Sequence, residues 1–364
     1  MCLGTLEKGE GKIMKRKLGR GKERGLLRRD ESGQILVLVV FAAVFLIGMA
    51  ALAVDIGHGL VVRNELQNAA DASSLAGAGN LFIPSPGPNW ARAEGAASGS
   101  IAWNKSDGQS LVNGQVQSGV WNLSQSPAGL QSQGTPLNAQ NVPAVRVQVG
   151  RAPGQNGGSV PTFFARIFGM NSFPVQAQAV AVVSNPGFVP PGTGMMPMAI
   201  NSAMAANFNS YKDAQHTFKI MSTYGAPPAQ AGQFTSLLVD FNDVNRLRNL
   251  ITTLITTGTP NQINIGSIIY IQPGVEANIF DHASQPDLKL FEGKDLFLPV
   301  VSGSLGAPGG PREVVGFVGF HVLLSTKSGN TGNVEGWFTT GLIVPNSGGS
   351  GPNYGAWTPP HLVL

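Results

Sequence analysis

The feature that most limits what this chain can fold into is a run of twenty residues, Ile35 to Val54 (ILVLVVFAAVFLIGMAALAV), without a charged or strongly polar side chain. At 1.5 Å per residue a helix of this length spans about 30 Å, the hydrocarbon thickness of a bilayer. No second apolar run approaches that length, so the pattern predicts a single crossing. Its flanks differ in charge. Residues 1–31 hold ten Lys and Arg against five Asp and Glu, and the other 333 residues hold 14 against 15. The asymmetry predicts a cytoplasmic N-terminus and an extracytoplasmic body after Asp55. It also confines the net charge of +4 to the tail. A nucleic-acid-binding protein carries its basic face on a folded unit, so no nucleic-acid partner is expected.

Two fates are open to the apolar run. It can stay as a membrane anchor with span ends at Ile35 and Val54, or it can be an export signal. Ala51-Leu52-Ala53 has the small-x-small pattern of a signal cleavage site, which makes Ala53 a candidate processing residue. Against cleavage, the run is long and the sequence beyond it continues as helix. Either Met1 or Met14 suits as a start. Cys2 is the single cysteine, so the body can form no disulfide framework and no thiolate metal site.

From Asp55 to Ala78 (DIGHGLVVRNELQNAADASSLAGA) there is no proline. Val62, Leu66, Ala69 or Ala70, Ser73 and Ala76 recur at three- and four-residue steps, which predicts one helical face, apolar and then small. The simplest continuation is one helix from about Gln34 to Ala78, although Gly57 and Gly59 weaken its start outside the membrane. Such a small-residue face suits close packing against this protein's own body or against other subunits. Asp55, Arg63, Gln67, Asn68 and Asp71 are the candidate polar contacts for assembly.

The combination of Gly33-Gln34, an apolar span ending Ala-Leu-Ala-Val-Asp55-Ile-Gly57, and Arg63-Asn-Glu-Leu-Gln67-Asn68-Ala-Ala-Asp71-Ala resembles the N-terminal segment of the TadG-like proteins of the tight-adherence (Flp pilus) assembly system. The match covers residues 31–80. The stretches Val145 to Val149, Pro161 to Gly169 and Val175 to Val183 resemble the same family more loosely. The resemblance implies a bacterial envelope protein, anchored in the membrane and accessory to a pilus or secretion machine. Its implied partners are the lipid bilayer and other pilus-assembly or pilin-like subunits. Pilin-like relatives have a glycine cleavage point with a glutamate about five residues into the apolar segment. Here Gly33, the candidate processing point, is followed by Gln34-Ile-Leu-Val-Leu-Val39 without one. Asp71-Ala-Ser73-Ser74 is out of spacing for the Asp-x-Ser-x-Ser metal site that some long members carry.

The rest of the chain reads as α+β. A short Ala-rich helix is expected over Trp90 to Asn104 and a strand around Val116 to Asn122. Val145, Val147 and Val149 alternate with Arg146 and Gln148, and Val175 to Val183 alternates likewise, predicting two half-buried strands. Between them, Pro161 is placed to start a helix with Phe163–Ile167 and Phe164–Phe168 pairs and Gly169 as its stop. Asn185 to Pro197 holds four prolines and three glycines and is taken as a linker. Strands are expected near 217–222, 234–241, 262–272, 296–302, 313–325 and 334–344. One helix interrupts them, with Asn242 as cap, Val244, Leu247, Leu250 or Ile251, and Leu254 on one face, and Gly258 as stop.

The predicted organisation is a basic cytoplasmic tail (1–33), a transmembrane helix (34–54), a helical stalk with a small α+β unit (55–184), a linker (185–197), a β-rich extracytoplasmic domain (198–345) and a flexible tail (346–364). No catalytic, cofactor-binding or metal-ligating set stands out. The five histidines show no metal-ligand spacing, and His321 sits in an expected strand. Asp281-His282 near Asp287 are ordinary turn residues. Gly303-Ser304-Leu305-Gly306 lacks the first glycine of a nucleophile elbow, having Ser302 in its place. No cofactor or small-molecule substrate is expected. The leading reading is a non-enzymatic assembly component of the bacterial inner membrane. The alternatives are a secreted adhesive module, released by cleavage, and an envelope hydrolase.

Overall fold

The computed structural model describes residues 32–82, 87–221, 232–235, 237, 244–272, 287–303, 305, 309–328, 331–349 and 351–363. The basic tail 1–31, Asn242, Asp281-His282, Ser304 and Gly306 lie outside the described residues. The fold is α+β, with a long N-terminal helix followed by two main β-sheets and shorter helices.

Helix α1 runs Ser32–Ala78 without a break, so neither Gly57 nor Gly59 interrupts it. The chain divides after Leu52. In the first part every large apolar side chain from Ile35 to Leu52 is at least half exposed, and the helix is apolar enough there, with mean hydropathy 3.1, to cross a membrane. A helix apolar all round finds its favourable surroundings in other apolar matter, not in water.

The second part, from Ala53 onward, has its own cores. Val62, Leu66, Ala69 and Ala70 of α1 are fully buried. They pack with helix α2 (Trp90–Ile101), which Asn89 caps by accepting from the Arg92 N–H. Both helices cover one face of an antiparallel sheet built from β1 (Gly114–Asn122), β2 (Asn141–Arg151) and β3 (Val175–Val182). The sheet order is His361–Leu362, β3, β2, β1, Leu130–Gln131. The predicted alternation decides the faces: Val145, Val147, Val149, Ala177, Ala179 and Ala181 point to the helices, and Arg146 and Gln148 turn away. On the opposite face Trp121, Val142, Ala144, Val180 and Val182 form a smaller cluster. Gly77 allows the close approach: a Cβ there would stand 2.9 Å from both Ala97 and Val145.

The second sheet holds β4 (Met198–Asn201), β5 (Phe218–Met221), β6 (Gly232–Phe234), β7 (Ile268–Ile271), β8 (Asp295–Val301), β9 (Gly310–Ser328) and β10 (Thr331–Phe338). Its order is β5-β10-β9-β8-β4-β6, with β7 beside the start of β9. Among the described residues, its β4–β8 pair is parallel and the other pairs are antiparallel. Helix α3 (Val244–Thr256) buries Leu247, Ile251 and Leu254 in the same core, and Gly258 follows with φ of 79°.

Two expectations are corrected. Residues 185–197 are bonded into the body instead of linking two parts loosely. Gly187 N–H donates to Gly348, Gly192 N–H to Thr259, Phe188–Val189 pairs with Ile263–Asn264, and Met195 and Met196 are fully buried. Prolines and glycines set the turns here, but the remaining backbone groups still need partners. Residues 346–349 and 351–363 are likewise no flexible tail. Ala356–Trp357 pairs with Leu342–Ile343, and His361–Leu362 pairs with β3. Trp357 is 3% exposed and stacks on Phe82 at 4.3 Å. One indole buried in the helix-covered core outweighs the loop-forming composition around it. Trp357→Ala is expected to destabilise this unit by about 3 kcal/mol, measured as a shift in the urea midpoint.

Candidate functional site

Asp55 directly follows the apolar run, where an exposed carboxylate is the simplest expectation. It is instead 4% exposed. Its Oδ1 accepts from the Phe163 N–H (2.7 Å) and its Oδ2 from the Phe164 (3.0 Å) and Ala165 (2.6 Å) N–H groups. Three consecutive amides facing one carboxylate supply the donors that an ionised group needs on leaving water. They belong to a loop between two short paired strands, Val160–Pro161 and Ser172–Phe173.

This loop replaces the helix expected after Pro161. Only one 3₁₀ turn forms, Ala165–Phe168, ended by Gly169 at φ of 85°. The Thr162 hydroxyl donates to the Met170 carbonyl at 2.5 Å, and the Thr162 N–H donates to Asn171. Closing the loop over so few residues prevents a longer helix, so the anticipated aromatic pairs do not fold inward. Gly169 does act as the stop. On α1, Gly59 faces Phe173 so closely that a Cβ would meet the ring at 2.7 Å.

One turn further along α1, His58 Nε2 lies 3.1 Å from Asp107 Oδ1. Asp107 also accepts from buried Arg151 at 2.8 Å, and its N–H donates to Glu65 at 2.6 Å. Arg151 Nε donates in turn to the Gly158 carbonyl. Burial pushes the Asp107 carboxyl up, but hydrogen bonds and charge from His58 and Arg151 outweigh it, and its pKa falls below the ordinary carboxylate value. Gln67 Nε2 donates to the Gln178 carbonyl of β3 at 3.0 Å and to Asp71 Oδ1 at 2.8 Å. Arg63 and Asn68 are exposed.

Of the five candidate contacts, then, Asp55 and Gln67 hold α1 to this chain's own body, Asp71 braces Gln67, and Arg63 and Asn68 face outward. Gly33 and Ala53 both lie within α1. The Asp107–Arg151–His58 group escaped sequence reasoning, because its members are separated by 44 and 49 residues. His321, on the interior strand β9, lies 2.9 Å from Asp295 of β8 and stacks on Trp337 of β10 at 4.0 Å, side-chain contacts to both neighbouring strands.

Two clefts among the described residues show what their linings offer. One of about 350 Å³ beside β1 and β2 is lined by amides such as Gln115, Gln148 and Gln176, with no ionisable side chain. Another of about 320 Å³ beside α3 carries Lys294 as its one ionisable group. No cluster of three or more potential metal ligands occurs among the described residues.

Residues 33–80 match the family described as Flp pilus-assembly TadE/G-like. Residues 67–181 match one described as Tad-like Flp pilus-assembly. The two matches meet on the part of α1 that packs on the first sheet, and they enclose Asp55 together with its three amide donors. Across residues 33–181 the chain thus matches Tad-like and TadE/G-like Flp pilus-assembly families. No curated protein and no solved structure matches it.

Two outcomes follow from the site. Asp55→Ala is expected to speed amide hydrogen exchange at Phe163, Phe164 and Ala165 while the β2 and β3 amides stay protected; unchanged exchange at those three would refute the pinning role. Asp107→Asn is expected to cost about 2 kcal/mol near neutral pH, on the low side for a buried pair because Asp107 is part exposed. Since the folded-state pKa is lowered, the stabilisation is present above about pH 4 and is lost as pH falls through the folded value. The wild-type and Asp107→Asn stability curves therefore converge in acid.

Proposed function

We propose that this protein is a single-pass, non-enzymatic accessory component of a bacterial Flp pilus-assembly machine. In this reading the N-terminal tail is cytoplasmic, Ile35–Val54 spans the inner membrane, and the body works outside by binding other assembly or pilin-like subunits. One observation carries the anchor: a helix with every large apolar side chain from Ile35 to Leu52 at least half exposed, immediately ahead of a body of TadG-like sequence. The non-enzymatic part draws support from clefts lined by amides and a lone lysine, since acid–base chemistry needs converging titratable groups.

Partner contacts are assigned to Arg63 and Asn68. Both are exposed on α1, Arg63 within the first family match and Asn68 where the two matches overlap, whereas Asp55, Gln67 and Asp71 are engaged within the chain. A released adhesive module is the second reading, favoured by Ala51-Leu52-Ala53 alone.

The intact mass of native protein from washed membranes and from medium separates these. Full-length mass in membranes is the expected result. A mass beginning at Val54, found in the medium, would establish the released module, and one beginning at Gln34 would make the protein a processed pilin-like subunit. In the same membranes, Arg63→Ala/Asn68→Ala is expected to lower the amount of protein in native complexes and of surface pili without lowering thermal stability.

A further inference from the structure

We propose that the Phe163–Met170 loop is a second membrane contact, a wedge of apolar side chains seated in the interface of the bilayer that the preceding helix enters. The inference rests on the anchoring proposed above. Phe163, Phe164, Ile167, Phe168 and Met170 are 49%, 40%, 77%, 82% and 60% exposed. Among the described residues, large apolar side chains elsewhere beyond α1 are exposed singly or in pairs, a normal surface feature, whereas five within eight residues make a patch that calls for a partner. The exposure is built in. The Asp55 carboxylate, the Thr162–Met170 bond and the left-handed Gly169 hold the loop base closed, and only Ala165 of the turn is buried.

Lipid is the occupant that position favours. The loop backbone is one hydrogen bond from Asp55, the first charged residue after the apolar run. The unpacked side of α1 stays apolar past that point, with Ile56, Leu60 and Val61 each more than half exposed. A separate segment converges on the same end. Trp103 and Val112, 84% and 68% exposed, flank the hairpin whose Asp107 bonds His58, three residues after Asp55. Tryptophan concentrates at the headgroup level of bilayers.

Charge agrees. No Asp or Glu occurs between Asp107 and Asp213, and the loop's one ionised side chain is the exposed Arg166, with Lys105 exposed in the hairpin. Cations beside an apolar face are what an anionic lipid surface binds. The patch therefore fixes the orientation of the body against the membrane, which a single helix crossing leaves free to swivel.

The test uses the full-length chain with Cys2→Ser and Ile167→Cys, so that one thiol carries a polarity-sensitive dye. The protein is reconstituted in vesicles of phosphatidylcholine and phosphatidylglycerol, and a Thr252→Cys chain labelled on α3 serves as reference. The expected result is emission shifted to the blue, quenching by lipids spin-labelled on the upper acyl chain, and iodide quenching several-fold weaker than at position 252. Phe168→Cys should repeat it if position 167 disturbs the turn. Iodide quenching at 167 and 168 equal to that at 252, in protein that still floats with the vesicles, would overturn the wedge and leave the anchor standing. Failure to float would sink the anchor, and the wedge with it. Shielding in native membranes combined with iodide access in vesicles would show that a protein partner covers the loop, which also overturns the inference.

Discussion

A carboxylate withdrawn from water has to be given donors, and at the start of this protein's folded body three loop amides give them to Asp55. The three amides come from a loop more than a hundred residues away in sequence, so satisfying one side chain fixes where that loop lies. The same requirement shapes the loop itself. Its first N–H groups are committed to the carboxylate, its closure is tight, and its apolar side chains are left pointing away from the core. Next along α1, His58 and Glu65 gather Asp107, and Asp107 gathers Arg151 at the end of β2. The polar contacts set the register of the helix along the sheet; the buried valine, leucine and alanine face supplies the stabilisation by removing apolar area from water.

The sequence was most legible where periodicity and burial coincide. Val62, Leu66, Ala69 and Ala70 repeat at helical steps and are buried, and the valines of β2 and alanines of β3 alternate as the sheet requires. Gly258 ends α3 as its position suggested. Legibility failed where a local signal competed with a distant partner. The Pro161 segment has every local mark of a helix start, but Asp55 and the Thr162–Met170 closure limit it to one turn. The stretch around Trp357 is rich in glycine and proline, but one tryptophan reaching Phe82 outweighs that composition. Asp55 itself was singled out for its place at the edge of the apolar run. Nothing local announces that its partner is a backbone in the same chain.

Helix α1, on which the two family matches meet, has residues that face in two directions. Its small side chains let it approach the sheet, to the point that Gly59 and Gly77 have no room for a methyl group. Its polar residues divide by direction: Gln67 turns inward to a β3 carbonyl, while Arg63 and Asn68 remain on the outer surface. Burial therefore separates the residues of this segment that pack on the sheet from those that stay exposed.

The pairing of His361–Leu362 with β3 has a consequence for the order in which the molecule is built. The partner residues on β3 are Val182 and Ala181, so the entire second sheet is synthesised after them and before their neighbour arrives. Until then β3 has an open edge, and exposed edges accept strands from other chains. Contacts this far apart in sequence slow folding, because the intervening chain must be ordered before they form. The first sheet is thus begun early and sealed late, and during that interval the nascent protein is a template for whatever strand reaches it first.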